Sequence, residues 1–443
     1  MTGPSIARNS FARLAADGAH LTLAFVSGVI TARWLEPEGK GAYAALLSLI
    51  TIVSSMASLG LGDAAVVMLG RTEATMKDFV RATLIPVLGV SIVGAFVLAL
   101  LAEAQLADQG PTLGRAILVS AVVVPIASLA KIMNDIANAR EQIVRTSVIR
   151  VASHVVTLGG LLIFVVVAGL HITGGMLAVV VSSGFAAAGG AMLILQMGGD
   201  FRPIWNMHLL GRALRLGLVI ELSHVLLTLA ARVDVLFVYS IAGRASAGHY
   251  SVALTVGELV ATAASAVAFA LYPRVARISD EEGYALVAKA SRVGLAMSAL
   301  SAIALGLLVP FLLPLAFGDD YRPSVVPALI LLLGGVLWGE LRLLTRARTA
   351  RGRTRLQLAA YGTTLIVMVA LDLLLIPPLG IEGAAIASVC GPAAGLLICG
   401  ASYRKDAERR GSSLGEFLPR LNDFRFVLET LLRTGRRLIE SVR

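Results

Sequence analysis

The strongest constraint on this chain is its series of apolar runs, each close to or beyond the ~18–20 residues a helix needs to cross a bilayer. Such runs surround Leu21–Ile30, Ala82–Leu101, Val148–Ala168 and Gly294–Leu315. Their apolarity is continuous. A membrane β-barrel would instead alternate polar and apolar residues along short strands. Charged residues make up 15% of the 443 positions, against about 25% in a soluble globular chain. An all-α polytopic membrane protein follows. The first run contains Asp17 and His20 and continues to Trp34 without a small-residue cleavage site, so it reads as a transmembrane helix rather than a cleaved leader.

Cutting at charged and Gly/Pro-rich breaks predicts twelve spans, at about 12–34, 42–68, 79–102, 114–136, 146–169, 174–197, 213–241, 249–272, 285–316, 324–346, 356–377 and 383–402. Orientation comes from the cations. Only Arg33, Lys40, Arg115, Arg244 and Arg322 fall on one side and Arg232 within a span. The remaining 32 of the 38 Lys and Arg fall on the other side. The positive-inside rule then places both termini in the cytoplasm. The net charge of +10 thus reads as attraction to anionic lipids of the inner leaflet, and nucleic-acid binding is not expected. Residues 403–443 form a basic tail. There Ser413 and Glu416 have capping-box spacing, and Leu414, Phe417, Leu418, Leu421, Phe424, Leu428, Leu431 and Leu432 form an apolar stripe. It reads as an amphipathic helix lying on the membrane, with docking of a partner protein as the alternative.

The chain also repeats itself. In "ARWLEPEGKGAY" (32–43) and "SIAGRASAGHY" (240–250), Gly41 and Tyr43 recur as Gly248 and Tyr250, 207 residues on. "HITGG" (171–175) and "GIEGA" (380–384) match at an offset of 209. Two six-helix bundles, 1–200 and 208–402, would be related by an axis along the membrane normal, because six crossings return the chain to the side it started from. Such halves enclose a central cavity.

The first of these corners resembles that of bacterial oligosaccharide flippases of the Wzx or O-antigen translocase type. Ala32, Arg33, Leu35, Pro37, Gly41 and Tyr43 match, while Glu36 replaces the usual glycine. "RVDVLFVYSIAGRASAGHY" resembles the seventh-span pattern, with Asp234, Gly248 and Tyr250 in place, and "LLLIPPLGIEGAAIAS" resembles the penultimate loop. The resemblance implies the MATE-like fold of the multidrug/oligosaccharidyl-lipid/polysaccharide (MOP) exporter superfamily. It also implies movement of undecaprenyl-diphosphate-linked glycans across the bacterial inner membrane, with a glycan polymerase or glycosyltransferase as prospective partner.

Charged groups inside spans are costly and face a cavity or a partner. Arg13, Asp17, His20, Ser27 and Thr31 share a stripe of span 1, and Glu221, His224, Thr228 and Arg232 share one of span 7. Each stripe holds an acid three residues before a histidine, close enough on a helix to hydrogen-bond. The expectation is that Arg13 and Arg232 attract a diphosphate or acidic sugar, while Asp17, His20, Glu221 and His224 carry coupling protons. Lys131, Asn134, Asp135 and Asn138 read as a solvated helix end, and Glu258, Glu340, Arg342 and Asp372 as helix–helix hydrogen-bonding groups. No phosphate-binding G-x-x-x-x-G-K-[ST] loop and no Cys/His cluster occurs, so neither ATP hydrolysis, a cofactor nor a metal is expected. A membrane enzyme would need a longer outer loop than the one near Glu103–Leu113. The readings left are a flippase, a small-molecule efflux antiporter of the same superfamily, and a non-transporting envelope scaffold.

Overall fold

The computed structural model describes residues 3–71, 73–106, 111–275, 280–350, 353–408 and 413–429, and among these there is no strand. Ahead of the tail, twelve helices follow in order among the described residues: α1 (Gly3–Ala57), α2 (Leu61–Gly70), α3 (Met76–Leu106), α4 (Pro111–Ala139), α5 (Ile143–Gly160), α6 (His171–Gln196), α7 (Met207–Ala230), α8 (Val233–Ala242), α9 (Arg244–Val275), α10 (Asp280–Phe317), α11 (Val325–Thr349) and α12 (Thr354–Glu408). A π-helical stretch, Leu161–Val167, extends α5. Nine helical segments among the described residues are long and apolar enough to cross a membrane, and the chain is a multi-pass membrane protein.

Helices α1 and α12 are each two helices joined across a break, at Glu36 and Gly380. These are two of the corners picked out by the repeat. Glu36 has φ 58° and ψ 173°, and Gly243, 207 residues on, has φ 92° and ψ 174°. That backbone region is essentially reserved for glycine, so Glu36 keeps the geometry of the residue it replaces. The second match behaves alike, with left-handed φ at His171 (46°) and at Gly380 (58°).

Glycines let the first two corners touch. A Cβ on Gly41 would overlap the carbonyl of Arg244, and one on Gly248 would overlap the carbonyl of Pro37. Pro37 and Arg244 are themselves 207 apart, so the contact is reciprocal in the manner of a two-fold interface. Lys40 is buried here, donating to Thr31 Oγ1 at 2.6 Å. The turn 316–321 closes over the same corner: Arg33 Nε donates to the Ala316 carbonyl at 2.7 Å and the Tyr321 hydroxyl to the Ala32 carbonyl at 3.1 Å.

Two spans that read as continuous in the sequence are interrupted. The one expected over 42–68 breaks at Leu59 and Gly60, both with positive φ, before α2 begins. The one expected over 213–241 breaks at Ala231 and Arg232, between α7 and α8. Tight local bonds, such as Leu61 N–H to Ser58 O and Arg232 N–H to Leu229 O, satisfy backbone groups that water cannot reach. Apolarity alone does not report such breaks.

Two compact units are present: Met1–Val252 with Ala316–Tyr321, and Ala253–Leu315 with Arg322–Arg443. Within the first, α4 packs against α3 and α6, and α1 against α5. The connector from α6 to α7 is strapped to α3. Arg81 Nε donates to the Arg202 carbonyl, Ile204 N–H to the Arg81 carbonyl, and Asp200 lies 3.7 Å from Lys77 and 3.9 Å from Arg81.

Within the second unit, α11 packs along α12 and Arg348 pairs with Asp406. Buried Glu340 accepts from Ser291 Oγ at 2.5 Å, the helix–helix role expected of it. The tail departs from expectation. Ser413 makes no capping bond, and Leu414–Phe417 is a 3₁₀ turn. Phe417 is buried against Tyr284 and Tyr403, and Arg292 donates to the Glu416 carbonyl. The tail helix starts after Pro419, where Asp423 accepts the Arg420 N–H at 2.8 Å. Docking of Phe417 thus overrides the capping box, while Leu418 and Leu421 stay exposed.

Substituting Glu36→Gly will raise stability by about 1 kcal/mol, because relief of strain outweighs the added freedom of the unfolded chain. Gly41→Ala or Gly248→Ala will lower it by about 1–3 kcal/mol through overpacking. Gly89→Ala, where a Cβ meets nothing within 4 Å, will serve as the neutral control in thermal unfolding. The α6–α7 strap carries a pH dependence. The Arg202 N–H, followed by Lys77 and Arg81, holds the Asp200 carboxyl below its ordinary value. The strap is therefore complete above the ordinary Asp range near ~3.9 and is lost as pH falls through the lower folded value. Limited proteolysis at 197–206 will show protection at neutral pH in the native chain and cleavage there in Asp200→Asn.

Candidate functional site

The break at Leu59–Gly60 does more than end a helix, for it lets α7 approach. A Cβ on Gly60 or on Gly217 would overlap the other's carbonyl, so the two backbones are in direct contact. One to two turns beyond Gly217, α7 presents Glu221 and His224 to the start of α2. Glu221 is only 4% exposed, and a carboxylate so deeply set needs donors. Ser58 Oγ supplies one, at 2.7 Å from Glu221 Oε1. Lys131 Nζ on α4 donates in turn to Ser58 Oγ at 2.8 Å and lies 3.6 Å from Asp135 Oδ2.

His224 stands at the open side of this chain of bonds. Its Nδ1 is 3.6 Å from Asp63 Oδ2 in the first turn of α2 and 3.9 Å from Glu221 Oε2. Both distances exceed a hydrogen bond, so the acid–histidine bond expected within α7 is not formed. The nearer carboxylate comes from another helix. Asp63, Glu221 and His224 offer three ligand-type atoms that all lie within 4.8 Å of one another. Thr228 donates to the His224 carbonyl at 2.8 Å and lies 3.4 Å from Ser55 Oγ, a further link between α7 and α1.

The other expected residues are placed elsewhere. Arg13 and Asp17 lie on α1, but their side chains are outside the described residues. His20 meets His154 of α5, with ring centroids 4.1 Å apart. Arg232 caps α8 at the break in span 7, and its neighbour Asp234 is buried, accepting from the Tyr250 hydroxyl at 2.7 Å and the Val235 N–H at 2.8 Å. The structure therefore joins Glu221, His224 and Thr228 in one region and His20 in another. Lys131 and Asp135, read from the sequence as a solvated helix end, belong to the Glu221 network. Ser58, Asp63 and His154 were missed. Asp63 carried a signal, since it is an acid inside the apolar run "LGLGDAAVVMLG". His154 carried one of the same kind, as a histidine inside the span expected over 146–169; Ser58 carried none, because it gains its role from a helix distant in sequence.

A solved structure of the lipid II flippase MurJ in an inward closed conformation superposes with a TM-score of 0.76 at 14% identity, over 95% of this chain and 91% of that one. An inward-facing multidrug resistance MATE family transporter of the MOP superfamily gives 0.69 at 15% identity, over 91% and 100%. The MATE multidrug transporter DinF-BH, solved as a complex, gives 0.70 at 15% identity, over 92% and 96%. No curated protein sequence matches. The fold is that of MOP-superfamily transporters. More particularly, the family model of polysaccharide biosynthesis proteins matches residues 30–326, and the chain belongs to that family.

Ser58→Ala will leave a buried Glu221 oxygen without its Ser58 donor and take from Lys131 its hydrogen bond to Ser58. A loss of about 1–3 kcal/mol is expected, read as a lower unfolding temperature in detergent, and Ser58→Thr will restore most of it.

Proposed function

We propose that this chain is a flippase that carries lipid-linked oligosaccharide or polysaccharide repeat units, of the undecaprenyl-diphosphate type, across the bacterial inner membrane by alternating access. The observation that carries the reading is the Ser58–Glu221–His224–Asp63 network set among apolar helices in a chain of the polysaccharide biosynthesis family. Charged groups at that depth are retained for transport or proton relay far more often than for stability. Likeness to a lipid II flippase supports a lipid-linked glycan substrate. The chain crosses twelve times with both termini cytoplasmic, in bundles 1–200 and 208–402, since α1 and α12 each supply two crossings.

Arg13 and Arg232 serve the anionic end of the substrate, with guanidinium donors matched to phosphate oxygens. Arg232 sits where α7 and α8 are discontinuous, the kind of broken helix from which transporters build substrate sites. Glu221 and His224, and on α1 Asp17 and His20, take up and release the coupling ion. Thr228 ties α7 to α1. The described part of the tail, 413–429, rests on anionic lipid of the inner leaflet, its exposed Leu418 and Leu421 turned to the bilayer. A small-molecule efflux antiporter is the second reading, favoured by the likeness to MATE transporters. The family match weighs against it.

In cells lacking the chain, lipid-linked glycan will accumulate on the inner leaflet, and the native gene will restore export. Glu221→Gln and Arg232→Ala, checked for expression, will each hold export below about a tenth of the native rate. Normal glycan export together with drug hypersensitivity would establish the antiporter instead.

A further inference from the structure

We propose that Asp63, Glu221 and His224 form a binding site for a first-row divalent metal ion of the Zn²⁺ class, bridging α2 and α7. The inference rests on the reading of this cluster as an ion-handling site and adds the chemical class of the ion.

The spacing is the first support. His224 Nδ1 is 3.6 Å from Asp63 Oδ2 and 3.9 Å from Glu221 Oε2. These contacts are too long for hydrogen bonds. Donors arranged tetrahedrally at about 2.0–2.2 Å from a zinc ion stand roughly 3.3–3.6 Å apart. The three atoms all lie within 4.8 Å of one another, and a bound ion would draw them onto a common centre. The open fourth position is left to water.

Donor chemistry narrows the ion. Calcium and magnesium take oxygen ligands almost exclusively, whereas one imidazole with two carboxylates suits zinc and its first-row neighbours. Charge agrees. Among the described residues, the neighbourhood holds the carboxylates of Asp63, Asp135 and Glu221 against the ammonium of Lys131. The acidic side chains outnumber the basic one, which favours a cation over an anion at this place.

The support behind the ligands is also built. Ser58 Oγ holds Glu221 by Oε1, leaving Oε2 directed toward His224, and Lys131 holds Ser58 from α4. Outer partners of this kind orient metal ligands. The sequence pointed to no metal because Asp63 is 158 residues from Glu221 and neither cysteine takes part. A bound ion would cross-link α2 to α7 beside the Gly60–Gly217 contact, so separation of these helices would require its release. Protons compete for the same three groups.

The test uses the purified full chain in detergent, treated with a chelator and then titrated with zinc chloride by calorimetry, with X-ray absorption on the loaded protein. One zinc per chain is expected, in a nitrogen/oxygen shell without sulfur, with affinity falling as pH is lowered. Asp63→Asn and His224→Gln, each confirmed as folded by size-exclusion chromatography, will weaken binding at least tenfold. His208→Gln, at an exposed surface histidine, and His154→Gln will leave it unchanged. No uptake of zinc by the native chain, a sulfur ligand, or binding lost with His154→Gln but kept in His224→Gln would overturn the proposal. Glycan export in cells is a separate readout. Zinc binding with normal export in Glu221→Gln would sink the transport role of the cluster alone, and export without zinc binding would sink the metal site alone.

Discussion

A backbone placed in lipid has no water to satisfy its N–H and C=O groups, and the rest of this structure depends on that constraint. It forces every described span to be helical and makes each break an event that must be repaired on the spot. The breaks at Leu59–Gly60 and Ala231–Arg232 are repaired by short-range bonds within the same turn. The corners at Glu36 and Gly243 are repaired by close backbone packing, with Gly41 against Arg244 and Gly248 against Pro37. Where a helix breaks inside the apolar region, polar groups gather. The Ser58–Glu221 bond lies at one such break and Arg232 at another.

The repeated corners match in backbone geometry as well as in sequence. Glu36 and Gly243 adopt the same uncommon backbone conformation, and residues 207 apart exchange contacts reciprocally. A side chain at Gly41 or Gly248 would break both contacts together, which accounts for glycine at both positions. Glu36 shows the reverse case, in which the fold keeps a glycine conformation although the glycine is gone. The strain is held by neighbours that over-determine the turn, among them the 316–321 segment on Ala32 and Arg33.

Much of the fold was legible. The apolar runs located most of the helices, because lipid demands length and apolarity of every crossing, but not the breaks within the spans expected at 42–68 and 213–241. The corners were legible because left-handed turns and close backbone approach select small residues. The site was legible only in part. Glu221 and His224 stood out as charges within an apolar run, and the structure unites them. Their partners were harder to read: Asp63 showed only as an acid inside an apolar run, and Lys131 and Asp135 looked like an ordinary helix end. The tail shows the same limit, since a correct capping-box spacing at Ser413 yielded to the burial of Phe417 between two tyrosines.

The sequence by itself therefore determined the class of this protein: a helical chain that crosses the membrane many times, with a corner that recurs 207 residues on. Those features follow from composition and local backbone preference, which act over a few residues to a single helix. Tertiary structure alone decided which polar groups meet. His224 faces Asp63 more closely than its helical neighbour Glu221, and Lys131 reaches Ser58 across 73 residues of sequence. The reason lies in range. Apolar periodicity reports what a helix turns toward lipid, but a buried charge is paired by whichever helix the glycine contacts allow close enough to touch it.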